Sequence, residues 1–114
     1  MHALLRTIFI TLAISLAPLA PAAAQVAPVE LERQVVRLFG EKQYAKALEL
    51  IEGHLASAPG DVIMLYNAAC ACAQLGRVDD AIAYLERSVK AGFVQFDHME
   101  RDPDLAPVRD HPRY

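Results

Sequence analysis

A pattern of small and large apolar residues recurs thirty-four positions apart, over Pro28–Asp61 and again over Val62–Gln95. Superposed, the two stretches pair Leu31 with Leu65, Ala47 with Ala81, Ile51 with Leu85 and Leu55 with Val89. A period of this length belongs to stacked pairs of antiparallel helices, none of which buries its apolar face alone. It predicts an all-α chain of two tandem helix hairpins with one curved face left free for binding. A generic four-helix bundle is the competing architecture. The agreement of period, turns and small positions argues against it.

The spacing predicts a first helix over Val29–Glu41, with Leu31, Val35 and Leu38 on one face and Val36 and Phe39 on an adjacent stripe. A second helix, Tyr44–Ala56, carries Ala47, Leu48, Ile51 and Leu55. The Lys42-Gln43 turn between them is short enough to force the pair antiparallel. Pro59 and Gly60 stop the second helix, since proline cannot continue it and glycine relaxes the backbone. Asp61 suits the N-cap of a third helix, Val62–Leu75, which Gly76 ends. A fourth, Val78–Ala91, has Asp79 and Asp80 in its first turn, where carboxylates favour the helix dipole, and Gly92 closes it. Ala47 and Ala81 fall where paired helices cross most closely, and Ala69 plays the same part on the third helix. Gly53, in mid-helix, costs about 1 kcal/mol relative to alanine.

Residues 1–24 read as a secretory signal peptide. His2 and Arg6 supply a positive start, Thr7–Leu19 is apolar, and Ala22-Ala23-Ala24 offers an A-x-A cleavage site. The run is short for a membrane span and is broken by Pro18 and Pro21, which argues against an uncleaved anchor. Cleavage near Ala24 would leave about ninety residues in the periplasm or outside the cell, with 25–95 forming the repeats and 96–114 a C-terminal helical cap. The formal charge of the whole chain is −3, and loss of Arg6 makes it more negative. No basic stripe exists for a phosphate backbone, so nucleic acid is not an expected ligand. A chain this small needs efficient packing, a partner or a second copy to support its core.

Leu65, Ala69, Gly76, Val78, Ala81 and Leu85, with the run Ala81-Ile82-Ala83-Tyr84-Leu85-Glu86-Arg87-Ser88, resemble a tetratricopeptide repeat. Leu31, Leu38, Tyr44, Ala47, Ile51 and Pro59 carry the same likeness in the first copy. That copy departs from the family in Val35, where a small residue is preferred, in Lys42, where glycine is, and in His54, where alanine is usual. The segment from Ala91-Gly92-Phe93 through Asp102-Pro103-Asp104-Leu105-Ala106-Pro107-Val108-Arg109 is similar to one that closes such arrays in many bacterial proteins. Asp97 and Glu100 form a capping-box pattern, and Pro103 suits the first position of another short helix. Phe93, Phe96, Met99, Leu105 and Val108 are expected to cover the apolar flank of the fourth helix, where a signalling tail would hold fewer large apolar groups.

The resemblance implies a concave surface lined by the first helix of each pair. Position by position it holds Val29, Glu32, Arg33, Val36, Phe39 and Gly40 from the first repeat, and Ile63, Tyr66, Asn67, Cys70, Ala73 and Gln74 from the second. Such a face suits a peptide or a partner's helix. Asn67 matches one asparagine of the carboxylate clamp of chaperone-binding relatives, but Glu32 and Val36 replace its other members. A clamp is therefore not expected.

Cys70 and Cys72 diverge by about 200° on a helix, which disfavours a disulfide between them. Cys72 falls on the core stripe, while Cys70 faces the concave side, where it could bridge to another molecule. The pair lacks the spacing of redox, haem or zinc motifs. His98 and His111, with Asp97 and Asp110, could meet only by chance as a metal site. No nucleophile elbow or phosphate-cradling loop is present. The expected protein is thus a non-catalytic adaptor of the bacterial envelope, taking a protein or peptide partner and no cofactor, metal or small-molecule substrate. Its rivals are a self-associating structural subunit and a redox or metal-linked protein built on the two cysteines.

Overall fold

The computed structural model describes residues 27–114, and the expected leader over residues 1–24 lies outside them. The described residues form α1 (Val29–Gly40), α2 (Tyr44–Ser57), α3 (Val62–Gln74), α4 (Val78–Ala91), α5 (Phe96–Arg101) and a 310 turn over Pro103–Val108. None of these helices is long and apolar enough to cross a membrane. The first four make two antiparallel hairpins, stacked so that α3 lies between α2 and α4. Helix ends agree with the apolar spacing to within a residue or so, the ordinary uncertainty of a fraying terminus.

Ala47, Ala69 and Ala81 are completely shielded from solvent. A methyl group at each crossing lets two backbones approach, and extra methylenes there would cost about 1–3 kcal/mol in overpacking. Around them Ile51, Met64, Leu65, Ile82 and Cys72 fill a continuous core. Cys72 thus behaves as a small hydrophobe. The outer flank of α1 is finished differently. Glu30, Gln34 and Arg37 stand thirty-four positions before Met64, Ala68 and Ala71 and are exposed or half-exposed, as suits the outer face of a terminal repeat.

The two hairpin turns are geometrically equivalent. Lys42 has φ 57° and Gly76, one period later, φ 76°. Gln43 N–H donates to the Leu38 carbonyl and Arg77 N–H to the Cys72 carbonyl, both at 2.8 Å, closing the same C-terminal motif. The left-handed conformation crowds a Cβ, so lysine is strained where glycine is not. Replacing Lys42 by glycine should therefore stabilise the protein by about 0.5–1 kcal/mol after the added freedom of the unfolded chain is subtracted. Gly53 offers a second gain, because a Cβ there would meet nothing within 4 Å. Gly53→Ala should add about 1 kcal/mol. Thermal unfolding should register either change as a rise of roughly 4–8 °C per kcal/mol.

Asp61 caps α3 as its position requires: Oδ1 accepts from the Met64 N–H at 3.1 Å. Its Oδ2 lies 2.8 Å from His54 Nε2, joining the end of α2 to the start of α3. His54 is only 11 % exposed and sits inside this junction. One period after His54, Ser88 ties α4 back to the start of α3, donating from Oγ to the Val62 carbonyl at 2.8 Å. The capping box expected at Asp97 does not form: Gln95 is the N-cap of α5, no side chain caps it, and Asp97 lies within the first turn. Asp102 does cap the next element, accepting from the Asp104 N–H at 3.0 Å, with Pro103 at its start.

Candidate interaction surface

The C-terminal segment decides how much of the concave face is free. Its 310 turn packs chiefly against α3 and less against α4. Leu105 and Val108 are wholly buried, Phe93 and Met99 nearly so. Phe93 stacks on Tyr66 with ring centroids 4.6 Å apart and planes within 5°. The segment therefore does more than cover the flank of the fourth helix: it lies along the concave side of α3.

Its polar contacts run down one stripe of that helix. Tyr66 donates its hydroxyl to Asp102 Oδ2 at 2.6 Å, Cys70 Sγ approaches the same oxygen at 3.9 Å, and Gln74 Nε2 donates to the Asp104 carbonyl at 3.0 Å. These residues stand four apart, one turn each, which is why the short stretch Asp102–Asp104 reaches all of them. Arg109 locks the strip from outside, its guanidinium donating to the carbonyls of Met99 at 3.1 Å and Asp102 at 2.5 Å. Tyr66 and Cys70 are consequently buried, and the expectation that both line an open groove is corrected. Ala73 is buried and Gln74 half-buried for the same reason.

Concave-side residues of α1 and of the start of α3 remain exposed. Val29 is 69 %, Val36 72 % and Ile63 48 % exposed, with exposed Glu32, Arg33 and Gly40 beside them. Arg33 pairs along α1 with Glu30 at 3.3 Å. Such an exposed pair contributes little to stability and leaves the guanidinium available. Phe39 is half-buried, edge-on to Tyr44 at 5.3 Å, and Asn67 is half-buried beside Met64. Of the residues expected to bind a partner, Glu32, Arg33, Val36 and Ile63 thus stand free, and Phe39 and Asn67 are partly so. Cap residues were missing from that set. The signal for them lay in Tyr66 and Gln74 on a largely apolar helix, whose polar atoms need partners once buried.

Cys70, Asp102 and Asp104 bring one ligand atom each within 4.8 Å of one another. Asp102 is already engaged through both oxygens, by Tyr66 and by the Asp104 amide. Burial pushes the Cys70 thiol up, and the carboxylates of Asp102 and Asp104 push it further. Burial likewise raises Asp104, with Asp102 adding to it. A protonated thiol beside an engaged carboxylate is the chemistry of a hydrogen-bonded anchor. The two histidines do not gather at Asp97 and Asp110: His98 Nε2 is 3.4 Å from Asp102, and His111 Nε2 is 3.2 Å from Asp79.

Both thiols should be inert in the folded protein. Burial pushes Cys72 up to about 11, and the thiolate is the reactive form. Alkylation at pH 8 should run on the order of a hundredfold slower than in denaturant, as counted by mass spectrometry. Rapid labelling of the native protein at either cysteine would contradict this burial. The sign for stability follows. Folding holds Cys72 above its unfolded value of 9.0, so the stability it contributes is intact below that pH and falls as pH rises from there toward 11.

Comparison with known proteins agrees with this geometry. A tetratricopeptide repeat family model matches residues 38–94. The chain is also similar to a chloroplastic protein of Arabidopsis thaliana, at 34 % identity over 80 residues, which is 68 % of this chain and 24 % of the relative. It thus spans about a quarter of the length of that curated protein. No solved structure gives a significant match. Two stacked helix hairpins with alanine at each crossing, matched over half the chain by the family model, make this a member of the tetratricopeptide repeat family.

Proposed function

We propose that the protein is an exported, non-catalytic adaptor that holds a peptide or partner helix against the concave side of its first repeat. Tetratricopeptide repeats in general mediate protein–protein interaction. The observation that carries the specific reading is the exposure of Val29 and Val36, seven residues apart on one side of α1, with Ile63 exposed at the start of α3. Isolated apolar residues at a surface are ordinary, but a cluster rimmed by polar groups is what a docking face requires. Glu32, Arg33 and Asn67 supply that rim, setting register through hydrogen bonds while the apolar centre contributes most of the affinity.

The export reading rests on the charged start, apolar run and A-x-A site of residues 1–24, and puts the adaptor in a bacterial periplasm or outside the cell. Edman or mass analysis of the mature N-terminus tests it, with cleavage near Ala24 expected. The binding reading is tested by Val36→Glu with Ile63→Glu. In-cell crosslinking and mass spectrometry should show the partner of the natural protein lost from the double variant while its melting temperature is kept. Undiminished capture by the folded variant would remove the concave face from consideration. Sedimentation at rising concentration separates the self-associating alternative, which requires a dimer that the double variant loses.

A further inference from the structure

Cys70 of α3 faces a stretch of the C-terminal segment in which His98, Asp102 and Asp104 stand four and then two residues apart. Their ligand atoms gather around one carboxylate oxygen. Asp102 Oδ2 lies 3.9 Å from Cys70 Sγ and 3.4 Å from His98 Nε2. An Asp104 carboxylate oxygen comes within 4.8 Å of both the Cys70 sulfur and an Asp102 oxygen. A tetrahedral ion bound at about 2.0–2.3 Å holds neighbouring ligand atoms about 3.3–3.8 Å apart. The first two separations are therefore close to those of neighbouring ligands, and Asp104 needs to move inward by about 1 Å. Asp102 is already oriented from behind, since Tyr66 donates to Oδ2 and the Asp104 amide to Oδ1. A carboxylate has about four lone-pair sites, so both bonds leave it room for an ion. Among the described residues only the backbone of Asp104 is hydrogen-bonded, to Gln74 and Asp102, and the His98 side chain is 60 % exposed. Both side chains are free to adjust.

We infer that Cys70, His98, Asp102 and Asp104 bind a divalent metal ion of the zinc class, which fastens the C-terminal segment to α3. The ligand types set the class. A thiolate with an imidazole suits zinc, whereas magnesium and calcium take oxygen ligands. The balance of charge points the same way. Burial and the two carboxylates push the Cys70 thiol up, and burial with Asp102 does the same to Asp104. A cation between the three acids removes their mutual repulsion. Without metal the thiol keeps its proton, and the cluster is the hydrogen-bonded anchor described above. Binding exchanges that proton: the S–H bond breaks, a sulfur–metal bond forms, and one proton per ion passes to solvent. Cys72 is wholly buried in the core and takes no part. The ligands come from α3, α5 and the start of the 310 turn, so the ion cross-links the cap to the second repeat. The site shares no residue with the exposed face of α1 and stands apart from the reading proposed for that face.

The test titrates the reduced, metal-stripped protein with cobalt(II) and then zinc(II). Cobalt should produce thiolate-to-metal charge-transfer absorption in the near ultraviolet, saturating at about one ion per chain, and zinc should displace it. Cys70→Ala should abolish that absorption, while Cys72→Ala leaves it unchanged. His98→Ala, at an exposed position, should weaken binding at least about tenfold with the fold retained. Where Cys70→Ala fails to fold, His98→Ala and Asp104→Asn, both outside α3, carry the same comparison. Absence of the absorption in the natural protein would overturn the site, as would its survival in Cys70→Ala or its loss in Cys72→Ala. Natural affinity in folded His98→Ala and Asp104→Asn would mean an adventitious ion only and overturn the ligand set.

Discussion

Asp102→Ala is expected to destabilise the protein by about 3 kcal/mol, the largest effect of any single change at a polar residue considered above. Asp102 is 9 % exposed, and its two oxygens have separate partners: Oδ2 accepts from the Tyr66 hydroxyl and Oδ1 from the Asp104 amide. Alanine strands both donors. A buried hydroxyl left without a partner costs about 1–3 kcal/mol, and loss of a helix-start cap about 1 kcal/mol more. For a domain of this size that sum is a fall of roughly 10–20 °C in melting temperature. Asp102→Asn should cost about 1 kcal/mol, because the amide keeps an acceptor for the turn and can meet the Tyr66 oxygen as a donor. Denaturant unfolding of both variants gives the comparison. Equal stabilities for Ala and the natural residue would mean that the cap is held by apolar contact alone.

Removal of residues 96–114 is the more severe experiment. It deletes Met99, Leu105 and Val108 from the core and uncovers Tyr66, Cys70 and Phe93. Each large side chain contributes about 1.5–3 kcal/mol by burial, so three of them approach the whole stability of a small domain, about 5–15 kcal/mol. The shortened chain should lose cooperative unfolding and amide dispersion while keeping part of its helical circular dichroism. A sharp melt within a few degrees of the full chain would show that two hairpins suffice. The same experiment separates two roles for the segment. If it were a removable strap over an open groove, its loss would leave a folded protein with Tyr66 newly accessible. The complete burial of Leu105 and Val108 argues that it belongs to the core.

The hairpins were legible because their determinants are local. Alanine at positions 47 and 81, the stop at Pro59-Gly60, the Asp61 cap and the glycine at position 76 each act within a few residues of themselves, and a repeat states them twice. Even the strained Lys42 could be read, since its partner one period on is glycine. Asp97 misled for a related reason. A capping box is a local pattern, but the N-terminus of a six-residue helix is set by what holds it in place, and here Phe93 stacked on Tyr66 starts α5 at Phe96.

Periodicity, turn chemistry and the small crossing residues determined by themselves that the described residues are helical and fold as a repeated pair of hairpins. Only the tertiary structure decided which residues of α1 and α3 are open to solvent. Docking of the C-terminal strip depends on three polar atoms of α3 meeting two aspartates some thirty residues away. Nothing in residue spacing encodes that distance, since burial of the Tyr66 hydroxyl becomes tolerable only when Asp102 arrives to accept its hydrogen bond.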